Sequence, residues 1–219
     1  MTTLYMSKVV VFDLDDTLYK EIDFLRSGYH ALADDIGSRF SLDVSEIEAN
    51  LHRWRNKGFN PFAMLIYHYS LPVSLDDCLT IYRFHKPDIS LSADVLITLE
   101  ALKKKGHVLG IITDGRSVTQ RNKVEALGLT KYMDPDDIII SEETGHPKPS
   151  FVPYQHFVDK YPNAKSYTYV GDNPTKDFVA LEKMGWTTVC VKDNGQNIHS
   201  QDTLLDDNYL AQYLISSPG

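Results

Sequence analysis

From residue 91 onward, apolar runs of strand length alternate with amphipathic stretches in this 219-residue chain. That alternation is the signature of repeated βαβ units, which call for a parallel sheet with helices on its faces. Strands are expected over Lys8 to Asp13, Val108 to Thr113, Ile138 to Ser141, Tyr167 to Gly171 and Thr188 to Lys192. Their unbroken Val, Ile and Tyr runs suit strands covered on both sides. Ser92 predicts the N-cap of a helix through Val95, Leu96, Leu99 and Leu102, which Gly106 ends. A second helix is expected over Ser117 to Leu127, with Val118, Val124 and Leu127 facing inward, and a third over Ser150 to Lys160. Asn173-Pro174 supplies a cap and a first-turn proline for a fourth, closed by Gly185 after Leu181 and Met184. The tail is polar after Gln196, with a short helix expected near Asp206 to Ile215.

Residues 18–90 break the rhythm. They lack β-branched runs and read as several amphipathic helices, and roughly seventy residues is far too long for a loop inside a compact domain. The expected architecture is therefore an α/β core, a doubly wound Rossmann-like parallel sheet from residues 1–17 and 91–219, with an α-helical domain inserted at 18–90. Trp54, Phe59, Phe62, Tyr67 and Tyr69 read as that insert's own core. The eight histidines show no metal-site spacing, so His52, His68 and His85 read as packing or surface residues.

Composition removes whole classes of function. A formal net charge of −8 gives no basic footprint for nucleic acid. No segment reaches the roughly 18 consecutive apolar residues that span a bilayer, and the first residues carry no signal-peptide pattern. Cys78 and Cys190 lie far apart and outside any paired motif. A soluble cytoplasmic protein in a reducing compartment is the expectation.

In open α/β sheets ligands bind beyond the carboxyl ends of the strands, and there the acids collect. The first strand ends in Asp13-Leu14-Asp15-Asp16-Thr17, the second in Thr113-Asp114-Gly115, the fourth in Gly171-Asp172-Asn173-Pro174, and Lys148 follows the third. The stretches DLDDT, ITDG, HPKP and GDNPTKD, in this order and spacing, resemble the four motifs of the haloacid dehalogenase superfamily. The resemblance covers nearly the whole chain, and the insert stands where many members carry a helical cap domain.

The resemblance implies a phosphatase that transfers phosphate from a small phosphorylated metabolite to Asp13, with Asp15 as the acid and base. Phosphomonoester hydrolysis can demand an acceleration on the order of 10²¹, equivalent to about 29 kcal/mol. Most of that has to come from charge stabilisation around the phosphoryl oxygens. Asp13 is a carboxylate at a strand tip, suited to nucleophilic attack. Asp15, two residues on, lies on the same side of an extended segment. Asp13 and Asp172 offer hard oxygen donors for Mg²⁺, and family analogy adds the Asp15 backbone carbonyl. Lys148 would neutralise charge shared by Asp13 and the phosphoryl group, while the Thr113 hydroxyl and the Asp114 N–H would hold phosphate oxygens. Asp177 is expected to orient the metal site from behind the ligands. Tyr19 and Arg116 stand beside the motifs and are candidates to touch the leaving group; Asp16 is assigned no chemistry.

Departures from the family pattern narrow the reading. Asp114 replaces the asparagine of many relatives. Asp15 weighs against the dehalogenase branch, which needs no such acid, and nothing marks Lys20 or Lys57 as a Schiff-base lysine. The alternatives are a phosphomutase acting on a sugar phosphate and a non-catalytic scaffold of the same fold.

Overall fold

A computed structural model, which describes residues 7–181, 183–199, 201 and 211–216, places six strands in one sheet. They are β1 (Val9–Phe12), β2 (Val108–Thr113), β3 (Ile138–Ile140), β4 (Tyr167–Gly171), β5 (Thr187–Val191) and β6 (Tyr213–Ile215). The order is β3-β2-β1-β4-β5-β6 and every pairing is parallel. All four residues of β1 are buried, because the strand sits mid-sheet between helix layers. Val9 and Val11 join Ile112, Tyr154, Phe157, Tyr169 and Trp186 in one core cluster. The strand order reverses between β1 and β4, the switch point where a crevice opens beyond the strand ends.

The chain divides into two compact units, one made of the residues up to Ile22 with those from Ser90 on, the other Asp23–Ile89. In the first unit, helices α5 (Ala93–Lys104), α6 (Ser117–Ala126), α7 (Ser141–Thr144), α8 (Val152–Lys160) and α9 (Pro174–Asp177) connect the strands. Ser92 caps α5 as expected, accepting from the Val95 N–H.

The other unit is helical, built on α1 (Glu21–Phe40), α2 (Val44–Asn56), α3 (Pro61–Tyr69) and α4 (Leu75–Phe84). Tyr29, Leu32, Ala33 and Ile36 recur at helical spacing and are buried. Side-chain caps start the three later helices: Asp43, Asn60, and Ser74 in a reciprocal capping box with Asp77. Two of the aromatics expected in its core are not there. Phe59 is 54% exposed and Tyr67 80%, whereas Trp54 and Phe62 are buried. On α3 the inward stripe runs through Phe62 and Leu65, and Tyr67 falls on the opposite side of the helix.

Two expectations in the α/β unit need correcting. The fourth helix stops at Asp177 instead of running toward Gly185. The Asp177 carbonyl, which a longer helix would give to the N–H of Leu181, accepts instead from the Tyr154 hydroxyl at 3.1 Å. The Leu181 N–H turns to Phe178 O, so the chain goes on in tighter turns. Near the end, residues 206–210 of the expected tail helix lie outside the described residues, and Tyr213–Ile215 is a strand on β5.

Candidate active site

The residues after β1 turn back on themselves at once. The Asp13 N–H still bonds to Val170 O of the neighbouring strand at 2.8 Å, and Leu18 N–H returns to Leu14 O at 3.0 Å. Asp16 makes the bend with φ of 54°, a left-handed conformation that Asp tolerates better than most residues. Its carboxylate accepts from the Glu21 N–H at the start of α1 and from the Ile198 N–H, both at 3.0 Å. Asp16 therefore secures backbone, and it also lines the cavity beside Asp13.

Asp13 projects from this bend into a cavity of about 120 Å³, shared with Asp15, Glu21, Thr113, Asp114, Lys148, Asp172, Lys176 and His199. Lys148 Nζ reaches Asp13 Oδ1 at 2.6 Å and Asp177 Oδ1 at 2.7 Å. The ammonium is nearly buried, so burial opposes its charge, yet the two carboxylates hold its pKa well above the ordinary lysine value. Carboxylate oxygens of Asp13, Asp172 and Asp177 lie within 4.8 Å of one another. Burial, reinforced by Asp177 and Asp15, outweighs Lys148 and raises Asp13 to about 7. Asp172 is raised to about 8 by burial and by the charges of Asp13 and Asp177.

That arrangement fits a divalent cation. Three clustered carboxylates face one ammonium, so with all three ionised the site is short of two positive charges, and every donor is a hard oxygen, which Mg²⁺ favours. Asp177 belongs to the cluster, but both its oxygens are engaged, Oδ1 by Lys148 and Oδ2 by the Asn173 N–H at 2.9 Å. Gly171 makes room for it, since a Cβ there would run into the Asp177 carboxylate. The side chain thus braces Lys148 and the turn after β4 from behind. Asp172 is steadied from elsewhere: Asn197 Nδ2 donates to its Oδ2 at 2.9 Å, and Gln201 Nε2 to its carbonyl at 2.6 Å.

Thr113 ends β2 with its hydroxyl in the cavity, accepting from Gln120 Nε2 at 2.6 Å. Asp114 uses its side chain structurally: Oδ1 accepts from the Lys148 N–H at 3.0 Å, tying the second motif to the third. Asp15 is 21% exposed at its side chain and held by three donors, Lys123 Nζ at 2.7 Å, Gln120 Nε2 at 2.9 Å and the Tyr19 hydroxyl. Burial pushes the Asp15 pKa up, but Lys123 and these hydrogen bonds prevail and leave it below the usual carboxylate range.

Seven of the sequence-predicted residues, Asp13, Asp15, Thr113, Asp114, Lys148, Asp172 and Asp177, gather at or directly behind the cavity. The two proposed leaving-group contacts do not line it. Tyr19 is buried with its hydroxyl on Asp15, and Arg116 turns outward, 58% exposed, toward Glu142 at 3.7 Å. Sequence reasoning overlooked Glu21, Lys176, His199, Asn197, Gln120 and Lys123. For the last two a signal existed. Residues 120, 123, 124 and 127 form one helical stripe, and Gln120, Lys123, Val124 and Leu127 are all buried, while Val118, expected on that face, is half-buried. Two polar residues in an inward stripe mark a buried polar network.

The family model for haloacid dehalogenase-like hydrolases matches residues 10–191. A glyceraldehyde 3-phosphate phosphatase of Methanocaldococcus jannaschii is 27% identical over 222 residues, covering 97% of this chain and 94% of the relative. Among solved structures, the Bacillus subtilis HAD-hydrolase YfnB bound to magnesium aligns with TM-score 0.66 at 19% identity, over 97% of this chain and 96% of that one. A 2-haloacid dehalogenase from Pseudomonas syringae pv. Tomato DC3000 aligns with TM-score 0.62 at 22% identity, over 97% and 95% of the two chains. At such identities these structures speak for the fold alone. With its sheet order, its four motifs at the strand ends and a matching model over most of its length, the chain belongs to the haloacid dehalogenase-like hydrolase family.

Proposed function

We propose that this chain hydrolyses a small organic phosphomonoester through a phosphorylated Asp13, with Mg²⁺ held by Asp13, Asp172 and the Asp15 carbonyl. The support that weighs most is the meeting of Asp13, Asp172 and Lys148 around one small cavity that also receives the Thr113 hydroxyl. Bound there, the cation would supply Lewis-acid neutralisation of phosphoryl charge.

The chain's own residues divide the rest of the work. Lys148 binds Asp13 Oδ1, which leaves Oδ2 to attack phosphorus. As the phosphorus–oxygen bond to the leaving group breaks, its electron pair stays on that oxygen, which takes a proton from Asp15; ionised in the free site, Asp15 takes up that proton from water as the anionic ester binds beside it. In the second half-step water attacks the aspartyl-phosphate, Asp13 regains its carboxylate, and Asp15 accepts the proton that water loses. Thr113, whose oxygen already accepts from Gln120, keeps its own O–H free to donate to a phosphoryl oxygen, beside the N–H of Asp114.

The M. jannaschii relative is named for a three-carbon phosphate ester, which favours sugar-type phosphates of modest size as the substrate class. By family resemblance we assign the helical unit, Asp23–Ile89, to substrate selection as a cap. No helix among the described residues is long and apolar enough to cross a membrane. Two buried free cysteines, Cys78 and Cys190, suit a reducing compartment, and we place the enzyme in the cytoplasm. The test is phosphate release from a panel of sugar phosphates and aryl phosphates with and without Mg²⁺. The wild-type chain should release phosphate only with the metal, and Asp13→Asn should lose about 10⁴-fold or more. Robust turnover by Asp13→Asn would discard the nucleophile.

A further inference from the structure

Buried between α6 and the bend after β1 is a polar network of which the reaction scheme above uses only the bond from Gln120 to Thr113. Gln120 is 2% exposed and Lys123 3%, and neither lines the cavity. Yet their side chains reach groups that do. Gln120 Nε2 donates to Thr113 Oγ1 at 2.6 Å and to Asp15 Oδ2 at 2.9 Å. Lys123 Nζ, from a side chain 4% exposed, reaches Asp15 Oδ1 at 2.7 Å. Tyr19 donates to that same Oδ1. Gly115, at φ of 146°, leaves the space that the Gln120 side chain fills; a Cβ there would meet Gln120 Cγ at 3.1 Å.

The geometry points to Gln120 and Lys123 as positioning residues, which together aim Asp15 Oδ2 at the leaving-group oxygen and the Thr113 hydroxyl at the phosphoryl group. This rests on the phosphatase reading above and adds the atom that carries the proton. A carboxylate offers about four lone-pair sites, two on each oxygen. On Asp15, Oδ1 takes two donors, from Lys123 and Tyr19, and is full. Oδ2 takes one, from Gln120, and keeps a site for a mobile proton. Thr113 is treated the same way. Accepting from Gln120 leaves its hydroxyl hydrogen to point toward the substrate.

A purely structural ion pair would explain the burial but not the pattern. Replacing such a pair with apolar residues of similar size is often neutral for stability, so stability alone gives little reason for polar residues at two positions of an inward stripe. Proton transfer does give one. Lys123 and Tyr19 fix one oxygen of a residue that lines the cavity, the other oxygen takes a single donor, and positioned acid–base catalysis contributes about 10²–10⁴-fold.

The test uses the full-length enzyme with Mg²⁺ and two substrates, p-nitrophenyl phosphate, whose leaving group departs without a proton, and an alkyl monoester such as glycerol phosphate, whose leaving group needs one. Lys123→Met should lower kcat for the alkyl ester about 100-fold and for the aryl ester by less than about 10-fold, while KM and Mg²⁺ affinity measured by calorimetry stay unchanged. Gln120→Leu should show the same preference and also raise KM, since it releases Thr113 as well. Equal losses for both esters, or no loss, would overturn the assignment. If Lys123→Met does not fold, as judged by circular dichroism, Gln120→Leu alone decides by the same ratio. A wild-type chain that hydrolyses neither ester brings down the phosphatase reading itself; an active wild type with variants blind to the leaving group brings down only the positioning roles.

Discussion

The two units of this protein treat charge in opposite ways. In the helical unit the ion pairs lie on the surface, as with Arg26–Asp23 and Arg39–Asp35, whose side chains are about a third to three-fifths exposed. Asn50 is its one polar residue in the buried class among the described residues. The α/β unit, by contrast, buries Asp13, Asp16, Lys123, Asp137, Lys148, Asp172 and Asp177. Buried charge is seldom a route to stability, because desolvation opposes it. Six of the seven stand at or behind the candidate site, Asp137 alone pairing elsewhere, with Lys160 and Tyr161, whereas the helical unit is built from ordinary apolar packing.

The sharpest way to break this contrast is to remove one charge from the buried set. Asp177→Ala leaves Lys148 with a single carboxylate and should cost about 3–5 kcal/mol, lowering Tm by roughly 10 °C or more in a calorimetric scan and weakening Mg²⁺ binding. Leu51→Ala, at a fully buried site of the helical unit, should lower stability by about 2–5 kcal/mol while leaving Mg²⁺ affinity intact. If both variants weaken the metal equally, the functional contrast between the units is lost.

A smaller effect follows from pH. In metal-free protein Asp13 titrates near 7 and Asp172 near 8, whereas carboxyls of the unfolded chain titrate near 4. The native state then holds more protons over that interval, so these two groups lower stability progressively as pH climbs from about 4 to about 8. Mg²⁺ competes with those protons. Saturating metal should raise Tm by about 5–10 °C at pH 8 and distinctly less at pH 6; a gain independent of pH would remove Asp13 and Asp172 as its ligands. The smallest effect belongs to the helical unit. The hydrogen bond that His30 donates to Glu48 raises the His30 pKa, so the contact helps below about pH 6.5 and fades as pH rises through the elevated value. On a side chain 63% exposed, Glu48→Gln should change stability by about 0.5 kcal/mol or less, detectable only in acid.

Much of the fold was legible because its strands are short, rich in β-branched and aromatic residues, and punctuated. The runs at Val108–Thr113 and Tyr167–Gly171 match the structure end for end, and Ser92 behaves as the cap it resembled. The site was legible to the same extent, since residues at strand ends converge whenever the strands are parallel neighbours. What could not be read depends on partners distant in sequence. Nothing local says that the Tyr154 hydroxyl will claim the Asp177 carbonyl and cut α9 short. The three residues of β6 are too few to show a period and become a strand only by pairing with β5. Tyr19 gave a phenol next to a catalytic motif, but whether it faced the substrate or Asp15 was a matter of backbone curvature at Asp16.

The ties from Asn197 to Asp172 and from Ile198 to Asp16 have a consequence for biosynthesis. Asp16 and Ile198 are 182 positions apart, and Lys148 reaches Asp13 across 135. On a ribosome that adds about 5–20 residues per second, Asp13 emerges many seconds before Lys148 and the groups that steady Asp172. Half-made chains therefore carry a strand tip rich in acids but no finished pocket, which closes only after residues as far along as Asn197 and Ile198 have been made.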